Sequence, residues 1–206
     1  MQNLVNFICI IAKFSLPLQP IMTNEEIETR AQRAIDLFKQ GYNCSQAVFT
    51  ACADMYGITD ESLALRLSAS FGGGMGRMRL VCGAASGMFM LAGLQNGSAT
   101  PHDNNGKMAN YAFVQHLAGE FKAKYGSLIC AELLGLAPRG TTPFPSGVKS
   151  SARSGVRWTA VEHCWGEASS PKPEERTQQY YEKRPCAEMV AEAVRIFILT
   201  QNQTKS

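Results

Sequence analysis

The chain contains no Cys-x-x-Cys anywhere, although it carries seven cysteines, at positions 9, 44, 52, 82, 130, 164 and 186. Without Cys-x-x-Cys-His there is no covalent attachment point for a c-type haem. The odd count and wide spacing also argue against a secreted disulfide framework, which sits in shorter, loop-rich chains. A reducing cytoplasm with free or metal-bound thiols is expected instead. No Gly-Lys-Ser/Thr occurs. Gly72-x-Gly74 would need a glycine where Arg77 stands, and Gly74-x-Gly76 one where Arg79 stands. With no strand evident ahead of these glycines, dinucleotide binding is rejected. Charged residues make up only 18% and the net charge is +3. The basic residues do not gather with aromatics into a stripe, so no nucleic-acid partner is expected. Long apolar runs are missing too. The best, Leu4 to Leu18, is too short for a span and is interrupted by Asn6, Lys13 and Pro17. It lacks the basic start and small-x-small site of a signal peptide. Histidines number three, His102, His116 and His163. No Ser-His-Asp or Cys-His-Asn order points to a hydrolase.

What is present reads as helices. The 206 residues are 45% hydrophobic, enough for one domain with a full core. Residues 1–21 are taken as an extension upstream of a natural start at Met22, and 22–206 as the domain. Thr23-Asn24-Glu25-Glu26 has capping-box form. Ile27, Ala31, Ala34, Ile35 and Phe38 follow on one face, and Gly41 closes the helix. Asn43 caps a second helix with Cys44 in its first turn and Ala47, Val48, Ala51 and Met55 inward. Cys52 lies about 80° around that helix from Cys44 and reads as a small buried hydrophobe. Thr59 or Asp60 starts a third helix through Leu63, Leu65 and Leu67. A long helix over 107–125 carries Met108, Tyr111, Ala112, Gln115, Leu117 and Ala118, and Gly126 stops it. Ser127 is placed to cap a short helix bearing Cys130, Leu133 and Leu134. Residues 137–173 are rich in Pro, Gly, Ser and Thr without a period, so a long irregular insertion is expected there. Pro185 opens the last helix, with Cys186 in its first turn and Met189, Val190, Ala193, Val194 and Phe197 inward. The fold class is all-α, a single-domain multi-helix bundle with that insertion before the last helix.

The stretch from Phe71 to Leu94 organises the chain. Gly72, Gly73, Gly74 and Gly76 permit positive φ or close backbone approach. Arg77 and Arg79 follow, suited to hold an anion or offset the charge of a thiolate site. Cys82-Gly83-Ala84-Ala85-Ser86-Gly87 then opens a helix. A thiol at a helix start faces unpaired N–H groups and the positive dipole end, which favours thiolate. Cys44, Cys82, Cys130 and Cys186 each precede or begin an apolar helical run. If the helices pack with those ends together, the four thiols converge. Such a set suits zinc or an iron–sulfur cluster, or two dithiol pairs. His163-Cys164 is a further candidate ligand pair within the insertion.

The Cys-Gly-Ala-x-x-Gly motif behind a GGGMGR loop resembles the C_GCAxxG_C_C family of redox-active proteins. Tyr42-Asn43-Cys44-Ser45-Gln46-Ala47, Ser127-Leu128-Ile129-Cys130-Ala131-Glu132-Leu133-Leu134-Gly135 and Lys183-Arg184-Pro185-Cys186 carry the resemblance further. It covers roughly 25–136 and 174–198. The resemblance implies a small helical protein with a redox or metal role, and Cys44, Cys82, Cys130 and Cys186 as its cysteines. The chain is also similar to the cysteine-bearing part of split-Soret cytochromes, where such cysteines are thought to hold an iron–sulfur cluster.

Electron transfer through an iron–sulfur cluster on those four cysteines is therefore the leading expectation, with an unidentified redox partner. Gly73, Gly74 and Arg77 are expected beside that cofactor. One alternative is thiol–disulfide chemistry with Cys82 as the attacking thiolate. Another is a non-catalytic zinc module serving a transporter, since the family is often associated with transporter genes. A site shared across a homodimer is compatible with the sequence.

Overall fold

The computed structural model describes residues 21–136 and 171–204. Expectations that fall on 1–20, on His163 and Cys164, and on most of the insertion lie outside these residues. Among the described residues eight α-helices follow in order. They are α1 (Asn24–Lys39), α2 (Cys44–Cys52), α3 (Glu61–Ser68) and α4 (Gly83–Asn96), then α5 (Asn104–Tyr125), α6 (Cys130–Leu133), α7 (Gln178–Lys183) and α8 (Cys186–Gln203). Among the described residues there is no strand, only an isolated antiparallel bridge between Val81 and Ile129. The fold is all-α, as the periodicity predicts.

Local signals account for most boundaries. Thr23 and Glu26 form the anticipated reciprocal cap, with Thr23 N–H donating to Glu26 Oε2 at 2.7 Å and Glu26 N–H to Thr23 Oγ1 at 3.3 Å. Asn43 and Gln46 repeat the arrangement at the start of α2, at 3.0 and 3.1 Å. Each satisfies N–H groups that a helix start leaves orphaned.

Four details depart from the expectation. α3 forms where expected, but Leu63 and Leu67 are 40% and 49% exposed, and Ala64 and Ser68 face the core instead. The small side chains sit four residues apart, which allows α3 to lie close against α2. α5 begins earlier than predicted, at Asn104, because Asp103 Oδ1 accepts the Gly106 N–H at 2.8 Å. Its buried line is Phe113, Leu117 and Phe121, while Met108 and Tyr111 are exposed. Ser127 does not cap α6; Ile129 occupies that position, and Ser127 Oγ accepts the Ile129 N–H and donates to Glu132. α7 was unanticipated: its six residues bury nothing, so no apolar period marks it.

α1 and α8 pack antiparallel through the centre. At one end Met22 and Asn202 exchange backbone-to-amide hydrogen bonds of 3.1 and 2.9 Å. At the other, the Tyr181 hydroxyl just before α8 donates to the Lys39 carbonyl at 3.2 Å. Between them Arg195 grips Glu28 with two bonds of 2.7 Å. Exposed polar contacts of this kind contribute under about 1 kcal/mol each, so they set register. Cohesion comes from the core, where Phe38, Phe49, Leu91, Leu117, Phe121, Val194 and Phe197 are almost wholly buried. Each large apolar side chain contributes roughly 1.5–3 kcal/mol. α2, α4 and α8 run with their N-termini at one end of the bundle, and that end carries the cysteines.

Candidate functional site

Four cysteines stand at four helix starts. Cys44, Cys130 and Cys186 are the first residues of α2, α6 and α8, and Cys82 is the N-cap of α4. A helix N-terminus carries roughly half a positive charge and unsatisfied N–H groups, both favourable to thiolate. Cys52 closes α2 instead, fully buried, with Arg30, Asp54 and Arg33 as its charged neighbours. It belongs to the core, as predicted.

The packing that gathers the four is written in small residues. A Cβ added at Gly83 would stand 3.1 Å from Cys44 Cβ, and one at Gly87 only 2.9 Å from both the Ser45 carbonyl and Val48 Cβ. The two glycines, one helical turn apart, thus let α4 lie on the backbone of α2 and bring Cys82 towards Cys44. Cys130 is drawn in by backbone pairing. Its N–H donates to the Leu80 carbonyl at 2.6 Å, and the Cys82 N–H donates to the Leu128 carbonyl at 2.8 Å.

The glycine loop forms the cradle behind this pairing. From Gly73 to Arg77 every residue has positive φ, between 56° and 75°. Met75 and Arg77 pay a left-handed penalty of about 1–2 kcal/mol each. The loop is closed by its own backbone, with Gly76 N–H to Ser70 O at 2.8 Å and Leu80 N–H to Gly74 O at 3.0 Å. Gly74 is pressed against the site: a Cβ there would sit 2.7 Å from Cys130 Cβ.

The thiols are not equivalent. Cys44 donates a hydrogen bond to Cys186, which with burial raises the Cys44 pKa far above the ordinary thiol range. Receiving that bond lowers the Cys186 pKa, against burial, and Arg184, Arg176 and Arg79 lower it further. Burial pushes the Cys82 thiol up to about 12, helped by Cys130 and opposed by the Ala85 and Ala84 N–H groups. Burial also raises Cys130, opposed by Arg79. The thiolate character expected at Cys82 is thus strongest at Cys186 in this arrangement. The four thiols act on one another: Cys44 feels Cys186, Cys82 and Cys130, Cys82 feels Cys130 and Cys186, and Cys130 feels Cys186. Among the described residues no three His, Cys, Asp or Glu side chains form a group that could hold a metal ion.

Arginines rim three of the thiols. A cavity of about 290 Å³ is lined by Cys44, Cys130 and Cys186 together with Arg79, Arg176 and Arg184. Gly73 and Arg77, singled out from the sequence, also line it. Gly74 stands behind Cys130, and Cys82 does not reach the cavity wall. Arg79 is only 7% exposed. Arg79, Arg77 and Arg184 all approach one carboxylate, Glu174, at 3.3, 3.6 and 2.5 Å. The Arg176 guanidinium packs 4.6 Å from the ring centres of Phe38 and Tyr180, a cation–π arrangement. Sequence reading missed Glu174, Arg176 and Arg184. The last had a signal, standing two residues before Cys186. Glu174 and Arg176 had none, because they come from a strap without periodicity.

Among the described residues no helix is long and apolar enough to cross a membrane. No curated protein and no solved structure matches the chain. A family model described as "Putative redox-active protein (C_GCAxxG_C_C)" matches residues 42–198, a span that includes all four helix-start cysteines. By that match, over most of its length, the chain belongs to the C_GCAxxG_C_C family.

Proposed function

We propose that this is an electron-transfer protein whose redox centre is an iron–sulfur cluster held by Cys44, Cys82, Cys130 and Cys186. The observation that carries the reading is the gathering, at four helix starts, of four thiols that act on one another. The donor set fits, since all-thiolate ligation is what iron–sulfur clusters use. When bound, such a cluster takes up or releases one electron. The chain's own part is electrostatic and steric. The N-termini of α2, α4 and α8 face the thiolates and favour their charge. Arg79, largely buried, donates to Cys130 and offsets its charge. Gly74 and Gly83 leave no room for a side chain against Cys130 and Cys44, and Gly87 leaves none between α4 and α2.

A second reading rests on the Cys44–Cys186 hydrogen bond. In it Cys186 thiolate attacks one sulfur of a small disulfide and expels the other as thiolate. Cys44 then loses its proton and attacks Cys186 in the mixed disulfide, releasing the second thiol and closing a Cys44–Cys186 bond. The small disulfide is reduced and the protein dithiol oxidised.

Iron, acid-labile sulfide and zinc per chain, measured on protein purified without oxygen, separate these. Iron with sulfide and broad visible absorption is expected, lost in Cys82→Ser and kept in Cys52→Ser. Loss in both variants would show the ligand set to be wrong. Zinc alone would indicate the binding module. No metal, with a thiol count that drops by two on oxidation, would establish the dithiol reading.

A further inference from the structure

Glu174 is surrounded in a way that its place in the chain does not require. It lies on the strap between the insertion and α7, with its side chain 41% exposed. Three arginines from two separate segments meet it: Arg77 and Arg79 from the glycine loop, and Arg184 from the turn before α8. Burial, then Arg79, and further on Arg184, lower the Arg77 pKa, with Glu174 acting the other way. A fourth guanidinium, Arg176, lines the same cavity, and its Nη1 is buried without a hydrogen-bond partner. Four guanidiniums thus line one cavity, and three of them converge on the single partly exposed carboxylate of Glu174. Its inner wall is made by Cys44, Cys130 and Cys186.

We propose that Glu174 occupies an oxyanion seat, and that the site takes a small anion bearing a carboxylate or phosphate, which displaces Glu174 from Arg77, Arg79 and Arg184. Guanidinium forks are matched to both groups, and several around one oxyanion give orientation as well as charge. The bound anion stands over the cysteines, so on the redox reading it is the substrate or electron partner, or the group by which that partner docks. Glu174 is then an internal competitor. It keeps the arginines paired when the seat is not in use and weakens anion binding by the fraction of time it is in place.

The seat itself does not depend on what the thiols hold. Titration calorimetry with inorganic phosphate at low ionic strength, on reduced full-length protein, tests it directly. Natural protein is expected to bind weakly, and Glu174→Gln about tenfold more tightly. Adding Arg184→Gln to Glu174→Gln should remove that gain. Citrate, run as a competitor, reports whether carboxylate or phosphate is preferred, and displacement by either supports the seat. A folded Glu174→Gln variant with unchanged or undetectable phosphate affinity overturns the proposal, as does a gain that survives loss of Arg184. Circular dichroism and the thermal midpoint confirm folding of each variant. Iron and sulfide content are read in parallel. Failed phosphate binding with the metal centre intact rejects the seat alone, and an absent centre with phosphate bound rejects the cluster alone.

Discussion

Gly74→Ala is the sharpest probe of how the cysteine site is built. Gly74 has φ +75°, and a Cβ there would stand 2.7 Å from Cys130 Cβ, 2.7 Å from the Leu80 nitrogen and 2.9 Å from the Arg79 carbonyl carbon. Two of those atoms are backbone and cannot step aside. Gly57 supplies the control, with φ +77° and nothing within 4 Å of an added Cβ. Both alanines carry the left-handed penalty of about 1–2 kcal/mol. Only Gly74→Ala adds overpacking, about 1–3 kcal/mol. With a urea m-value of about 2 kcal/mol/M, its midpoint should fall roughly 0.5–1.5 M below that of Gly57→Ala. The displaced atom is Cys130, so Gly74→Ala should also lose iron and sulfide, while Gly57→Ala keeps them. Equal midpoints and equal metal content in the two variants would refute the claim that the loop positions Cys130 by contact.

Two further outcomes are expected. In reduced, metal-free protein at pH 8, iodoacetamide should modify Cys186 first. Cys44, held up by its bond to Cys186 and by burial, should react late together with Cys52 and Cys82, whose thiols burial pushes up to about 12, as read by peptide mass spectrometry. Attack on Cys82 first would contradict the described electrostatics. For Asp54, burial raises the pKa, but the paired bonds from Arg30, 2.7 and 2.9 Å, outweigh it and hold the pKa below 3.8. A depressed folded pKa means stability that is present above the unfolded value and lost as pH falls through the folded one. Asp54→Asn should therefore cost about 0.5–1 kcal/mol at pH 7. That gap should persist down to about pH 4 and close below it; a gap independent of pH would exclude the ion pair as its source.

The helices were legible because their signals are local. The Thr23–Glu26 and Asn43–Gln46 caps, and the stops at Gly57 and Gly126, each act within a few residues. The placing of Cys44, Cys82, Cys130 and Cys186 at helix starts followed from the same signals. Which thiol is the acidic one did not. It depends on the Cys44–Cys186 contact and on Arg184 and Arg176, partners distant in the chain from Cys44. The leucines of α3 misled as a guide to its inner face because periodicity cannot say which of two adjacent faces is covered. Gly83 and Gly87 were read within a motif, yet their role as the α2–α4 contact needed the partner helix. Glu174 shows the limit most plainly. An acidic residue in a proline-bearing strap has nothing in its own neighbourhood to distinguish it from any solvated carboxylate.

The position of α8 sets an order of events in the making of the protein. Cys186 opens the last helix, and the inner face of that helix completes the core against α1, α2, α4 and α5. A nascent chain can form α1 to α6 and bring Cys44, Cys82 and Cys130 near one another while still attached to the ribosome. It cannot present the fourth thiol until the 56 positions from Cys130 to Cys186 have also been made, because a ribosome adds only about 5–20 residues per second from the N-terminal end. Any centre that requires all four thiols is thus acquired only once α8 has emerged, and a chain that stops before Cys186 has no means of retaining it. Occupancy of the site would then report that the chain has been made and folded as far as α8.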